Sequence, residues 1–368
     1  MSKWLSVLML LGILYFGLNP RGFYLSNNVT WIDNQNGIRF GKYGIAYTDS
    51  PFNSPASHSR TPNSLSIEIA LKSDISHHQG FEFLLVMHNG EDSKQLLIGK
   101  WRSWMIVMNG DDYENKKKTK RIAVREALPP QKIRFVTITS GQEGTKVYLD
   151  GQLARAKKDL ILKVPDGKTE TRLVVGNSVY GRDSWTGDIY GLALYGYALT
   201  AKDVELHFNQ WFRERNFAFA KEDAPQLLYM LNEKAGEKAF DRSGENHHLE
   251  IPSRMKILKR ELLSAPWYRF KFNKSFLVDI TINILGFIPF AFFLSATFVS
   301  RGGFVEKHSC LITVFICLVI SLFIEIAQAW MPSRSSQMLD VFLNTLGAWL
   351  GAMLYRLSLH LSPKASAN

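Results

Sequence analysis

The chain has 368 residues, 44 Lys and Arg against 33 Asp and Glu, a formal charge of +11, and 46% apolar residues. The distribution excludes a nucleic-acid binder: the apolar residues crowd both ends in membrane-length runs, and the positive charge is better matched to anionic lipid headgroups. It also excludes a disulfide scaffold, because the two cysteines, Cys310 and Cys317, share one apolar run and lie too far apart along a helix to bridge each other.

Trp4 to Leu18 is a continuous apolar stretch, about 22 Å long as a helix. A cleaved leader would need a small-x-small site, which Gly17-Leu18-Asn19-Pro20-Arg21 lacks, so an uncleaved membrane anchor over residues 1–20 is expected.

From Gly22 to Trp211 apolar residues alternate with period two and turn signals recur, which predicts many short antiparallel strands. SLSIEIAL (64–71) and FEFLLVMHN (81–89) read as strands buried on one or both faces. KIRFVTIT (132–139) leads into TKVYLDGQLA (145–154), whose Asp150-Gly151 is a favoured two-residue hairpin turn. Lys116-Lys117-Lys118, with Lys120 and Arg121, reads as a solvated hairpin loop. A short helix is expected after Thr200, capped by that residue and Asp203, with Val204, Phe208 and Trp211 on one face. Glu68 and Glu82 read as ordinary strand residues, and the acidic residues lack the ligand spacing of a calcium loop, so no metal and no cofactor is expected.

The run FVTITSGQEGTKVYLDGQL, followed by RLVVGNSVYGRDSWTGDIYGLALYGYALTAKDVELHF (172–208), resembles the end of a laminin G-like, concanavalin A-like jelly roll. The resemblance implies an all-β sandwich with a recognition role. Residues 225–251 resemble the strand and D-x-S-G turn that open such domains, yet they follow the closing helix. They are expected to pair back onto the sandwich as a permuted edge, giving a domain over 22–253. Residues 254–275 carry seven basic residues mixed with Leu262, Leu263, Trp267, Tyr268, Phe270 and Phe272. They read as a basic interfacial linker, with a plain solvated linker as the alternative.

Three apolar runs follow, at about Phe276–Val299, Ser309–Trp330 and Leu339–Leu357, joined closely enough to be antiparallel neighbours. Each carries side chains that are costly in hydrocarbon: Asp279 and Asn283, Glu325 and Gln328, Asp340 and Asn344. Spacings of three and four put each pair on one helical face. The start of the first run, the end of the second and the start of the third must lie on one side, where the soluble domain also lies. At 1.5 Å per residue the polar groups then sit within roughly 3–11 Å of that surface. One shared polar pocket follows, with Arg334 above it. Helix glue, a site for an amphiphile's polar head, and an ion path are all open readings of this pocket.

The runs DITINILGFIPFAFFL (279–294) and SLFIEIAQAWMPSRSSQMLDVFLNTLGAWLGAML (321–354) resemble the VanZ-like membrane family. The resemblance carries over Asn283, Pro289, Glu325, Gln328, Arg334, Asp340, Asn344 and Gly347 as pattern positions. It implies a module over 276–358, a further helix before it, and a bundle of about four helices in which Trp4–Leu18 takes part, with the jelly roll inserted in a loop. It also implies a link to glycopeptide (antibiotic) resistance, as in the founding member. The resemblances place the soluble domain outside the cytoplasm in an inner or plasma membrane. Arg301, Lys307, His308, Arg356 and Lys364 agree with the positive-inside rule, whereas the basic stretch before Phe276 opposes it.

The sequence therefore leads to a multi-pass cell-envelope protein that is not expected to be an enzyme. Its expected partners are membrane lipids and an envelope glycan or surface protein. The alternative is a membrane-embedded enzyme or carrier for a lipid-linked envelope precursor.

Overall fold

A computed structural model describes residues 2–18, 22, 24–51, 64–75, 80–110, 119–165, 171–265, 274–332 and 334–361. The contacts divide the chain into a unit of residues 25–259 and a unit of residues 1–24 with 260–368. Lys116–Lys118, Trp267, Tyr268, Phe270, Phe272 and Lys364 lie outside the described residues.

The first element in the chain is helix α1 (Ser2–Leu18). The strands that follow are β1 (Val29–Trp31), β2 (Ile38–Phe40), β3 (Ala46–Thr48), β4 (Leu65–Ser73), β5 (Phe81–His88), β6 (Leu96–Trp101), β7 (Trp104–Asn109) and β8 (Arg121–Val124). Next come β9 (Ile133–Gly141), β10 (Gly144–Leu149), β11 (Gln152–Lys157), β12 (Arg172–Val175) and β13 (Gly187–Tyr195). After helix α2 (Ala201–Glu214) come β14 (Leu227–Tyr229), β15 (Lys238–Ala239) and β16 (Leu249–Glu250).

Two antiparallel sheets make a sandwich. One runs β1-β2-β13-β4-β9-β10-β11, with β14 also on β13; the other runs β15-β16-β3-β12-β5-β6-β7-β8. Alternation decides which side chains fill the gap between them. In β4, Leu65, Ile67, Ile69 and Leu71 enter the core with Ile138, Leu192 and Trp185, while Ala70 turns outward beneath α2. Nearly all of β4 is buried because α2 and the 3-10 turn Ala218–Asp223 roof the outer face. There Phe135 stacks against Phe217 and lies close to Trp211.

The local signals for this architecture are physical. Asp150 and Gly151 both take positive φ, 52° and 81°, which a two-residue hairpin matched to strand twist requires. The Asp150 carboxylate also accepts the Phe135 N–H and pairs with Arg134. Thr200 and Asp203 form a reciprocal capping box at the start of α2.

Residues 225–251 return to the sandwich on both sheets: β14 extends from β13, while the β15–β16 pair joins β3. Arg254 bridges Ser26, and Met255 N donates to the Leu25 carbonyl, so the chain stays on this unit past the last strand.

Two buried charges correct the reading of ordinary strand residues. Glu68 is fully buried; it accepts hydrogen bonds from Thr137 and Tyr195 and lies 3.1 Å from His207 Nδ1, whose Nε2 meets Asp223. Burial alone would depress the His207 pKa. The bond to Glu68 and the charges of Glu68 and Asp223 outweigh it and hold the imidazole above its ordinary value. Glu82 faces Lys100 at 3.4 Å, and both are at most 2% exposed.

The other unit consists of α1 with α3 (Lys274–Val299), the short α4 (Gly303–Lys307), α5 (Ser309–Gln328) and α6 (Met338–Leu361). Among the described residues, stretches of α3, α5 and α6 are long and apolar enough to cross a membrane; α1 is apolar but shorter. Many of their leucines and phenylalanines face outward, as a lipid solvent allows. Helix α1 packs on α3 and α5. Its two ends are marked by Ser6 near Thr297 and by the Gly17 carbonyl, which accepts from Gln328 at 2.8 Å. Helices α3 and α6 run parallel and very close, because Gly347 and Gly351 present bare backbone to the Ile284 and Ile288 carbonyls. Pro289 sits inside α3, and a neighbouring helix can compensate for the hydrogen bond it breaks.

Candidate functional site

Up-down threading brings four helix ends together: the end of α1, the start of α3, the end of α5 and the start of α6. The polar side chains cluster there.

Asn283 Nδ2 donates to Asp340 Oδ1 at 2.8 Å, joining α3 to α6. Asp279 lies one turn earlier on α3, exposed, and its charge acts on Asp340. Glu325, 2% exposed near the end of α5, accepts the Gln337 N–H at 2.7 Å and is also bonded by the Ser336 side chain. Glu325 and Asp340 feel each other's charge and that of Arg334, which is exposed in the 329–337 loop. Asp340 Oδ2 has no partner among the described residues. Three carboxyl groups and one guanidinium thus share this end of the bundle, with an acceptor oxygen to spare.

The other two candidates are used differently. Gln328 turns to α1 and holds the Gly17 carbonyl. Asn344 lies one turn deeper than Asp340 and donates to Ser321 at 2.9 Å, while its Oδ1 has no partner among the described residues. The geometry makes both of them links between helices.

A strap of chain completes the cluster. Ser264 N donates to the Ser336 carbonyl at 2.9 Å, Leu263 N to Ser336 Oγ at 3.0 Å, and Met338 N to the Ser264 carbonyl at 3.1 Å. The Arg260 guanidinium lies 3.5 Å from the Trp330 ring centroid. Residues 260–264 therefore lie along the loop that supplies the Gln337 amide to Glu325. Ser264, Ser336 and Gln337 escape a sequence reading because polar loop residues look alike until their partners are known. The stripe of Gly347 and Gly351, by contrast, is a legible G-x-x-x-G.

Known proteins match both units. The family model described as VanZ/LLP1 matches residues 227–359, and that described as Concanavalin A-like lectin/glucanases superfamily matches residues 48–205. The chain is thus a multi-domain membrane protein. Its C-terminal helices are VanZ-like, and its sandwich is concanavalin A-like.

Among solved structures, a candidate carbohydrate-binding protein of Bacteroides ovatus is similar at 13% identity and TM-score 0.42, over 61% of this chain and 62% of that one. The receptor-binding domain of botulinum neurotoxin C/D mosaic serotype is 16% identical at TM-score 0.40, over 52% and 46%. The CBM40 of the Ruminococcus gnavus IT-sialidase, bound to alpha2,3 sialyllactose, is 13% identical at TM-score 0.35, over 47% and 95%. This chain spans less than two thirds of the length of the first two. No curated protein matches it.

Proposed function

We propose that this is a cell-envelope binding protein of the inner or plasma membrane. In this reading the sandwich engages an envelope glycan or surface partner outside the cytoplasm, while the polar end of the helices holds the polar head of an amphiphile. The observation that carries the reading is the union, in one chain, of a recognition-type sandwich with a bundle whose polar groups converge at one end. Charge supports the orientation: Arg356 donates to the Lys307 carbonyl, so Lys307 and Arg356 meet at the end opposite Glu325 and Asp340. The positive-inside rule makes that end cytoplasmic.

A second reading is favoured by the spare Asp340 oxygen beside Glu325 and Arg334. It is an enzyme or carrier for a lipid-linked precursor, with one carboxyl as acid or base and the guanidinium on a phosphate. The glycopeptide-resistance link of VanZ-like proteins belongs to this reading.

Retention of the membrane-reconstituted chain on isolated cell-wall material separates the two. The binding reading expects retention that is lost when 25–259 is replaced by a flexible linker and is unchanged in Glu325→Gln or Asp340→Asn. Retention that survives removal of the sandwich would refute it. The enzyme reading instead requires those substitutions to depress turnover of a lipid-linked precursor by about 10²–10⁴-fold.

A further inference from the structure

We propose that the edge of the sandwich where β8 meets β11 is a binding track for an anionic glycan chain. The proposal rests on the glycan-binding reading above and names the chemical class and the surface.

Strands β8 and β11 end their respective sheets, and they meet along one edge of the sandwich. Lys157 Nζ crosses this seam to the Arg121 carbonyl at 3.1 Å. Arg155 is in register with core residue Val147, so it emerges from the same side of the sheet at the seam. Lys120, Arg121, Arg155 and Lys158 are exposed along it.

Their charge is cancelled only in part. Asp159 pairs with Lys120 at 3.6 Å, Glu143 with Lys146, Asp150 with Arg134, and Glu126 accepts from Ser103 Oγ. Among the described residues the side chains of Arg121 and Arg155 have no acidic partner, while Lys158 lies within the field of the Glu143 carboxylate. Three residues of extended chain, about 10 Å, separate Arg155 from Lys158, and Arg121 stands beside Lys157 across the seam, so the cations gather in one short stretch. Such a stretch attracts a ligand that carries more than one acid group.

Aromatic rings continue the track at the far end of β8. Val124 is in register with Met105, which brings Arg125 to Trp104, 4.7 Å from its ring centroid. Trp104 meets Trp101 edge-on at 5.7 Å, Arg102 lies 5.0 Å from the Trp101 centroid, and Trp101 is 37% exposed. Amphipathic rings offer a flat surface to the C–H face of a sugar, while guanidinium groups bind carboxylate or phosphate in a fork. Arg121 and Arg125 share the outer face of β8 and their line ends on the indoles, with Arg155 at the seam beside it, an arrangement that matches a sugar chain carrying acid groups.

The test uses the full chain in phosphatidylcholine nanodiscs, with polygalacturonate as the anionic probe, dextran as the neutral one, and phosphatidylglycerol vesicles as the membrane control. The track predicts polygalacturonate binding that weakens with salt and falls at least tenfold in R121E/R155E. All three substituted or supporting cations are exposed, so an unchanged melting temperature is expected; Lys158→Glu repeats the test with a single change and should weaken binding in the same direction. Trp101→Ala should weaken binding while leaving its salt dependence in place. Wild-type-like binding by R121E/R155E, or binding of dextran without polygalacturonate, would overturn the track and leave the glycan reading standing. Binding to vesicles alone would make the occupant a membrane and overturn the proposal. If wild type binds none of the three, the track and the glycan reading both fail.

Discussion

Glu82→Leu alone is expected to destabilise the sandwich by about 3–5 kcal/mol, because it strands the Lys100 ammonium in the interior. Lys100 is 1% exposed; besides Glu82, its Nζ reaches the Asp74 carbonyl at 3.1 Å, which is a dipole and not a counter-charge. The double change Glu82→Leu/Lys100→Met removes both charges and keeps the volume similar. It should recover most of the loss, since a well-packed apolar pair avoids the desolvation of two ions. Thermal or urea unfolding of the full chain in detergent, followed by tryptophan fluorescence of the sandwich, gives the four corners of the cycle. A single-variant loss below about 1 kcal/mol would mean that the pair is solvated and not part of the interior.

The second large effect belongs to the helices. A Cβ at Gly347 would overlap the Ile284 carbonyl oxygen, and one at Gly351 would overlap that of Ile288. Neither obstacle is a flexible side chain that could rotate away, so Gly347→Leu must push α6 from α3. The expected cost is about 1–3 kcal/mol for the overpacked contact. The Asn283–Asp340 bond spans the same helices and should break as well. Gly286→Leu is the control: its Cβ meets nothing within 4 Å. In detergent, Gly347→Leu should lower the melting temperature of the helical unit and expose it to protease, while Gly286→Leu behaves as wild type. Equal stability of the two variants would contradict the close α3–α6 contact.

Legibility followed the range of the interaction. The β10–β11 turn needs only Asp150 and Gly151, and the start of α2 only Thr200 and Asp203, so local sequence is enough for both. Sheet neighbours are another matter: β3 lies between β12 and β16, segments more than a hundred residues away, and no local pattern encodes such partners. Glu68 shows the same limit. On β4 it reads as an ordinary strand residue, but α2, folded back from beyond residue 200, closes over it. In the helices, the cost of polar groups in hydrocarbon marked Asn283, Glu325 and Asp340 from sequence alone. It could not separate them from Gln328 and Asn344, because only the packing shows that those two serve α1 and Ser321.

The convergence of polar side chains from separate spans is tested most directly by thiol cross-linking of α3 to α6. Cys310 and Cys317 would be replaced by alanine, Asn283→Cys and Asp340→Cys introduced, and a protease site placed in the turn at 300–302, between α3 and α4. After a short bifunctional thiol reagent is added to native membranes and the turn is cut, the two fragments should remain joined. The outward-facing pair Leu285→Cys/Phe342→Cys should separate. Fragments that part in the first case, or that stay equally joined in both, would contradict the account.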